Sequence, residues 1–378
     1  MRTLEDLDVE GKRVLVRVDF NVPLDEDGNI TDDSRIRGAL PTLKELREKG
    51  AKLILASHLG RPKGPDPKFS LKPAADRLSE LLDTDVQLAE ELDDVPDGDI
   101  VMLENVRFHA GETKNDPELA KRYAALADVY VNDAFGSAHR AHASTEAVAK
   151  LLPSAAGRLL ESEVKTLNGI LADPGRPLVA VVGGAKVTDK IGVLDAFLHR
   201  ADTILIGGAM CFPFFKAQGH EVGASLCEEA GVEPARRVLM AAGEGQLQLP
   251  DDLVAGKEFK ADTETRKIDG VDVPEGWMGL DIGPETAERY ADEIANAGTV
   301  FWNGPMGAFE LAPFADGTQR VAVAIAAAPG VTVVGGGDSA AALKQFGFAD
   351  DVDHLSTGGG ASLELIEGKQ LPGVEVLS

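Results

Sequence analysis

Apolar runs alternate with amphipathic stretches along the whole chain. In the first half KRVLVRVDFNVP (12–23), AKLILASHLGRP (51–62), DIVMLENVRFH (99–109) and ADVYVNDAFGSAHRAH (127–142) read as strands, with ALPTLKELREKG and PAADRLSELL as helices among them. In the second half PLVAVVGGAK (177–186), DTILIGGAM (202–210), TVFWNGPMG (299–307) and VTVVGGGDS (331–339) each run from an apolar strand into glycine. DHLSTGGGAS (353–362) is a shorter, less apolar version, and KIGVLDAFLHR and PETAERYADEIANA have helical composition. Strands that are apolar throughout, rather than on alternate residues, predict parallel sheets covered by helices on both faces. Between the halves, Leu159, Leu160, Val164, Leu167 and Leu171 recur at helical spacing until Asp173-Pro174-Gly175 stops the helix. The expected organisation is a first domain over 1–157, a connecting helix over 158–173, a second domain over 174–362 and a tail over 363–378.

The strand ends carry the chemistry. In open parallel sheets ligands bind beyond the carboxyl ends of the strands. A glycine turn leading into a helix leaves N–H groups aimed at whatever lies in front, with the helix dipole favouring an anion. Several such ends in the second half predict a phosphate or nucleotide site. In the first half the ends carry Arg35, Arg37, Arg61, Arg107 and Arg140 with His58 and His139. That grouping predicts a polyanionic metabolite, because the guanidinium fork matches phosphate and carboxylate. Lys186 and Lys190, four apart at the head of an expected helix, should project from one face toward the phosphates. Asp338 either caps the helix that follows the glycines or holds the magnesium of a nucleotide.

Length and charge narrow the partners. A chain of 378 residues is long for a single core. Its 63 acidic against 38 basic residues give a net charge of −25, which repels nucleic acid and anionic membrane. Such self-repulsion also suggests a high-salt interior, since the Debye length falls from roughly 10 Å at 0.1 M to about 3 Å at 1 M. No apolar run is long enough to span a bilayer, and the acidic start MRTLEDLDVEGKR lacks a signal-peptide core. Cys211 and Cys227 form no CxxC pair. A cytoplasmic protein is expected, with no disulfide framework. GxxxxGK[ST] is absent, and Gly335-x-Gly337 lacks the last glycine and the ribose-binding acid of a dinucleotide fingerprint. Neither a P-loop enzyme nor a dehydrogenase is favoured.

Nine motifs in order, RVDFNVP (17–23), HLGRP (58–62), LENVRFH (103–109), DVYVNDAFGSAHRAH (128–142), GGAKVTDK (183–190), GWMGLDIGP (276–284), FWNGPMGAFE (301–310), GGGDS (335–339) and STGGGASLELIEGKQLPGV (356–374), make the chain resemble the phosphoglycerate kinase family. The resemblance implies an α/β fold of two Rossmann-like domains with parallel sheets joined by a hinge helix, the tail packing back on the first. It implies reversible phosphoryl transfer between ATP and the carboxylate of 3-phosphoglycerate, giving 1,3-bisphosphoglycerate and ADP, with Mg2+ and after domain closure, in a monomer. By the same resemblance Asp19, Phe20, Asn21, Arg35, His58, Leu59, Gly60, Arg61, Arg107 and Arg140 bind 3-phosphoglycerate. Lys190, Gly208, Gly279, Asn303, Pro305, Glu310, Gly336, Gly337, Asp338 and Ser339 bind the nucleotide. Asn303 and Pro305 are expected by the base, Glu310 by the ribose and Asp338 by magnesium. Arg35, Lys186, Gly337 and Gly360 attend the phosphoryl group in flight. Two positions depart from the family: Ser339 and Pro213 each stand where threonine is usual, and Pro213 brings the helix after Gly208 into question. A non-catalytic metabolite sensor on the same frame is the alternative, disfavoured by intact Arg35, Lys186 and Asp338.

Overall fold

The computed structural model describes residues 1–378. The chain divides into two compact units, Met1–Lys165 with Lys369–Ser378, and Thr166–Gly368.

The first unit runs β1 (Arg13–Arg17), α1 (Ser34–Glu48), β2 (Lys52–Ala56), α2 (Lys72–Leu82), β3 (Gln87–Ala89), β4 (Ile100–Leu103), α3 (Pro117–Ala125), β5 (Val129–Asn132) and β6 (Ser154–Ala156). Its sheet has the order β3-β4-β2-β1-β5-β6, every pairing parallel. The central strands are buried on both faces, as continuous apolar runs require. The order turns back between β1 and β5, so the loops leaving these two strands diverge and open a crevice. Helix α1 begins at Ser34, ahead of the apolar stretch that marked it in the sequence, and so carries Arg35 in its first turn with Pro41 inside.

Helix α4 (Arg158–Ala172) leads from the first unit into the second. The second unit contains β7 (Leu178–Val182), α5 (Ile191–Leu198), β8 (Thr203–Ile206), α6 (Cys211–Ala217), α7 (Val232–Ala241), β9 (Leu247–Gln248), β10 (Asp252–Gly256), β11 (Thr265–Asp269), β12 (Met278–Ile282), α8 (Pro284–Ala295), β13 (Thr299–Asn303), α9 (Asp316–Ala326), β14 (Val331–Gly335), α10 (Gly337–Phe346), β15 (His354–Leu355) and α11 (Gly359–Ile366). Its parallel sheet has the order β15-β14-β13-β7-β8-β9. A separate antiparallel sheet, β11-β10-β12, was not foreseen. Its β11, TRKID, is polar and mostly exposed, so it carries no strand-like apolar signal. The last helix, α12 (Pro372–Glu375), belongs to the first unit, where the Asn132 side-chain amide donates to the Gly373 carbonyl (3.1 Å).

Helix α6 forms despite Pro213. The proline sits in the first turn, where its missing N–H has no intrahelical partner to lose.

Candidate active site

In the first unit Asp19, Asn21, Arg35, His58, Gly60, Arg61, Arg107 and Arg140 line one cavity of about 190 Å³, with Gly136 and Ser137 completing its wall. The loops after β1, β2 and β5, the turn after β4 and the first turn of α1 deliver these residues. Asp19 is bridged to Arg35 (2.7 Å). Burial alone would raise its carboxyl, but Arg35, with His58 and Arg17 behind, holds it below the ordinary range. The Asn21 side-chain oxygen accepts from the Gly60 N–H (2.8 Å), tying the β1 loop to the β2 loop.

Arg61, Arg107 and Arg140 form no salt bridge with a carboxylate, in a chain with 63 acidic residues. Arg107 donates to the Gly60 carbonyl (2.6 Å), while its buried Nε has no partner. Burial, then repulsion by Arg140 and Arg17, lowers its guanidinium to about 10. Crowded cations with an unsatisfied donor make a site that is relieved by a bound anion.

Phe20 and Leu59 lie behind this wall, fully or nearly buried, and form its apolar backing instead of touching the cavity. Arg37 is not part of the group. Two residues after Arg35, and so about 200° round the helix, it pairs with Asp33 at the surface (3.0 Å). His139 also lies outside the lining and accepts from Arg140 Nε (3.2 Å).

In the second unit a larger cavity of about 970 Å³ opens beyond β7, β8 and β13. Gly208, Gly279, Pro305, Glu310 and Asp338 line it, with an apolar wall that includes Phe212, Met278, Leu280 and Phe309. The antiparallel sheet and the 224–227 loop supply much of that wall, including the free thiol of Cys227. None of these was expected as a contributor except Gly279. A glycine is required there because a Cβ would stand 2.4 Å from the Phe212 ring.

The glycine loops above this sheet lie on one another. The Gly184 N–H donates to the Pro305 carbonyl (3.1 Å), and the Gly208 N–H to that of Met306 (2.8 Å). Gly208 has φ +69°, and a Cβ would approach the Gly184 carbonyl to 2.5 Å. Gly337 and Gly360 are different: both are exposed, in the first turns of α10 and α11. Asp338, also exposed, follows in the same turn of α10.

Lys186 and Lys190 do not share a helical face. Gly184 turns the chain with φ +117° and helical structure begins only at Thr188, so the spacing of four carries no helical meaning. Lys186 is exposed in the preceding turn, whereas Lys190 folds inward and donates to the Asn303 side chain. Burial lowers the Lys190 ammonium, with Asp338 and Asp189 pulling the other way. Asn303 is itself buried and donates to the Gly335 carbonyl (2.8 Å), so it stands behind the cavity wall and not in it. Ser339 is fully buried, and its hydroxyl accepts from the Gly304 N–H (2.7 Å). Gly336 has φ +96°, and a Cβ there would press on the Asn303 amide at 2.8 Å.

The family model for phosphoglycerate kinase matches residues 4–369. The chain belongs to the phosphoglycerate kinase family. It is 54% identical over 388 aligned positions to the phosphoglycerate kinase of Thermosipho africanus (strain TCF52B), covering 98% of this chain and 96% of that protein. The solved phosphoglycerate kinase of Coxiella burnetii is similar at a TM-score of 0.90 and 42% identity, covering 99% of this chain and 98% of its own. That of Pyrococcus horikoshii OT3 gives 0.87 and 34%, over 100% and 98%. The α/β class with two parallel six-stranded sheets is therefore the phosphoglycerate kinase fold. The chain is a kinase, and its reaction is the glycolytic phosphoryl transfer between ATP and 3-phosphoglycerate.

Proposed function

We propose that the basic cavity of the first unit binds 3-phosphoglycerate and the larger cavity of the second binds the magnesium–nucleotide. The observation that carries this reading is the set of three arginines, Arg61, Arg107 and Arg140, left without carboxylate partners in one cavity of a strongly acidic chain. Each charge-assisted bond to a phosphate or carboxylate oxygen is worth about 1.5–3 kcal/mol. The apolar wall of the larger cavity suits a base and ribose, with Glu310 at its edge for the ribose hydroxyls.

The acceptor is a carboxylate, ionised at neutral pH, so no general base is needed. Its oxygen attacks the γ-phosphorus in line as the bond to the ADP oxygen breaks. What the protein supplies is position and compensation of charge. In this reading Arg35 and Lys186 flank the transferring group, and the first-turn amides at Gly337 and Gly360 donate to its oxygens. The residues also fit a nucleotide-bound magnesium ion. Asp338 presents one exposed carboxylate to the cavity, and such an ion completes its shell with phosphate oxygens and water. When bound, magnesium would offset the phosphate charge. Because acceptor and donor bind to different units, turnover includes closure, with the helix over 158–173 as hinge, and closure excludes water.

We read the charge of −25 as adaptation to a high-salt cytoplasm, and propose a monomer in keeping with the family resemblance. The test of the two sites is a crossed kinetic pair. Arg61→Ala should raise KM for 3-phosphoglycerate about tenfold or more and leave that for the nucleotide unchanged. Asp338→Asn should do the reverse. Both substrates responding equally to both changes would refute the division.

A further inference from the structure

Behind the basic cavity lies a buried polar chain that takes no part in the phosphoryl transfer itself. Arg17 ends β1 and is 1% exposed. Its Nε donates to the Ser144 hydroxyl (2.8 Å), one Nη to the Val18 carbonyl, and the other Nη lies 3.2 Å from His58 Nδ1. Ser144 Oγ is in turn 2.6 Å from Glu112 Oε1, and the Tyr123 hydroxyl is 3.3 Å from Glu112 Oε2. Glu112, Ser144 and Tyr123 are all buried.

The direction of each bond that Arg17 makes follows from one fact: a guanidinium has five donors and no acceptor. Ser144 Oγ must accept from Arg17, so its own proton is free to go to Glu112. Glu112 then receives from both Ser144 and Tyr123 and serves as the hydroxyl-bridged partner of the buried guanidinium; burial raises its carboxyl above the ordinary range, while Arg17 and the bonds from Ser144 and Tyr123 favour the anion. At the other end His58 Nδ1 must offer a lone pair to Arg17. A neutral imidazole with its lone pair on Nδ1 carries its proton on Nε2.

We infer that Arg17 is a positioning residue that fixes His58 in the Nε2–H tautomer, so that His58 enters the basic cavity as a neutral donor and not as a fifth cation. Glu112 and Ser144 hold Arg17 for that task. This rests on the reading of the cavity as the 3-phosphoglycerate site. It differs from a general-base role, for which an unprotonated nitrogen would have to face the substrate. The electrostatics agree. Burial, offset in part by Asp19 and reinforced by Arg17, Arg107 and Arg35, lowers the His58 imidazole to about 3. A second proton would have to sit on Nδ1, directly against an Arg17 N–H. A fixed N–H gives directional recognition of a substrate oxygen, which a further mobile charge beside the cavity's four arginines would not.

The first experiment needs no mutation. In protein labelled with ¹⁵N-histidine, with His58 assigned by loss of its signals in His58→Gln, His58 should show one Nε2–H tautomer through the neutral range and remain unprotonated down to about pH 5. An Nδ1–H form, a tautomer mixture or an imidazolium near pH 6 would overturn the inference. Ser144→Ala is the functional arm. It leaves Arg17 and Glu112 in place but cuts the bridge between them. The His58 tautomers should then mix and KM for 3-phosphoglycerate should rise about tenfold, with KM for the nucleotide unchanged and recovery in Ser144→Thr. An unaltered tautomer, or equal loss for both substrates, would reduce the chain to ordinary packing. Failure of the substrate reading looks different. If 3-phosphoglycerate leaves the His58 signals of the wild type unmoved while the tautomer is as inferred, the positioning stands and the ligand assignment falls.

Discussion

Asp133 offers a prediction in which the sign and the size both come from the structure. It follows β5 and is fully buried. Its Oδ1 accepts from the N–H groups of Leu159 (2.9 Å) and Leu160 (3.4 Å), and the Thr42 hydroxyl also donates to the carboxyl. It thus caps α4 from a distance, beside Gly157, where a Cβ would stand 2.2 Å from Oδ1. The other oxygen has no partner and no cation lies among the groups acting on it. Burial, offset in part by these hydrogen bonds, pushes the carboxyl up to about 7 from an ordinary 3.8. Between those values the folded protein holds a proton that the unfolded chain has released, so the unfolded state binds fewer protons and stability falls as pH rises. The loss is complete above about pH 7. Three pH units at roughly 1.4 kcal/mol each make it ~4 kcal/mol, an order of magnitude. Asp133→Asn keeps the Oδ1 acceptor and cannot ionise. It introduces a buried amide N–H without an acceptor, costing about 1–3 kcal/mol at every pH. The stability of the variant minus that of the wild type should therefore climb by ~4 kcal/mol from about pH 4 to about pH 8, whatever its absolute value. Urea unfolding followed by far-ultraviolet circular dichroism at constant salt reads this. Tryptophan fluorescence would miss it, because Trp277 and Trp302 both lie in the other unit. A difference that stays flat across the window would refute the buried, proton-holding cap.

Ser339→Ala removes the only side chain that accepts from the Gly304 N–H and should cost about 1–3 kcal/mol, read as a lowered melting temperature of the second unit, whereas Ser339→Thr should be tolerated better. Lys186→Ala should cut kcat strongly while 3-phosphoglycerate still binds by calorimetry. Turnover at the wild-type rate would remove Lys186 from the reaction. The protein should melt at a lower temperature in dilute buffer than in molar KCl, and equal melting temperatures would discard the high-salt reading.

The two parallel sheets were legible because their strands are apolar on both faces and end in residues of distinctive chemistry. Arg61, Arg107 and Arg140 stood out as cations at strand ends of an acidic chain, and the structure gathers them with Arg35 in one cavity. Arg37 carried the same signal and is a surface ion pair, since sequence does not say on which side of α1 a side chain leaves. The antiparallel sheet was illegible for a physical reason: β11 is polar, and β10 and β12 are five residues each, paired over long separations. Arg17 did leave a trace, an arginine closing an apolar strand within RVDFNVP, but its partners Glu112, Ser144 and His58 come from distant segments. Lys186 and Lys190 misled because a helical spacing was read across a turn.

The glycines of the second unit have two separate physical causes, and the distinction decides which of them can be changed. Gly183 and Gly304 are bare because the loops after β7 and β13 cross in contact: a Cβ on Gly183 would lie 2.1 Å from the Pro305 carbonyl, and one on Gly304 would lie 2.1 Å from that of Gly183. No ligand is needed to explain them, since any side chain would part the strand ends. Gly337 and Gly359 have nothing within 4 Å of the place a Cβ would occupy. There the fold leaves room for a side chain, so sterics within the protein do not require glycine. Their first-turn amides are open to an anion, and on the proposed reading a phosphate lies there. Packing thus accounts for the glycines at the ends of β7 and β13, and the proposed phosphate contact falls instead at the helix starts at 337 and 359.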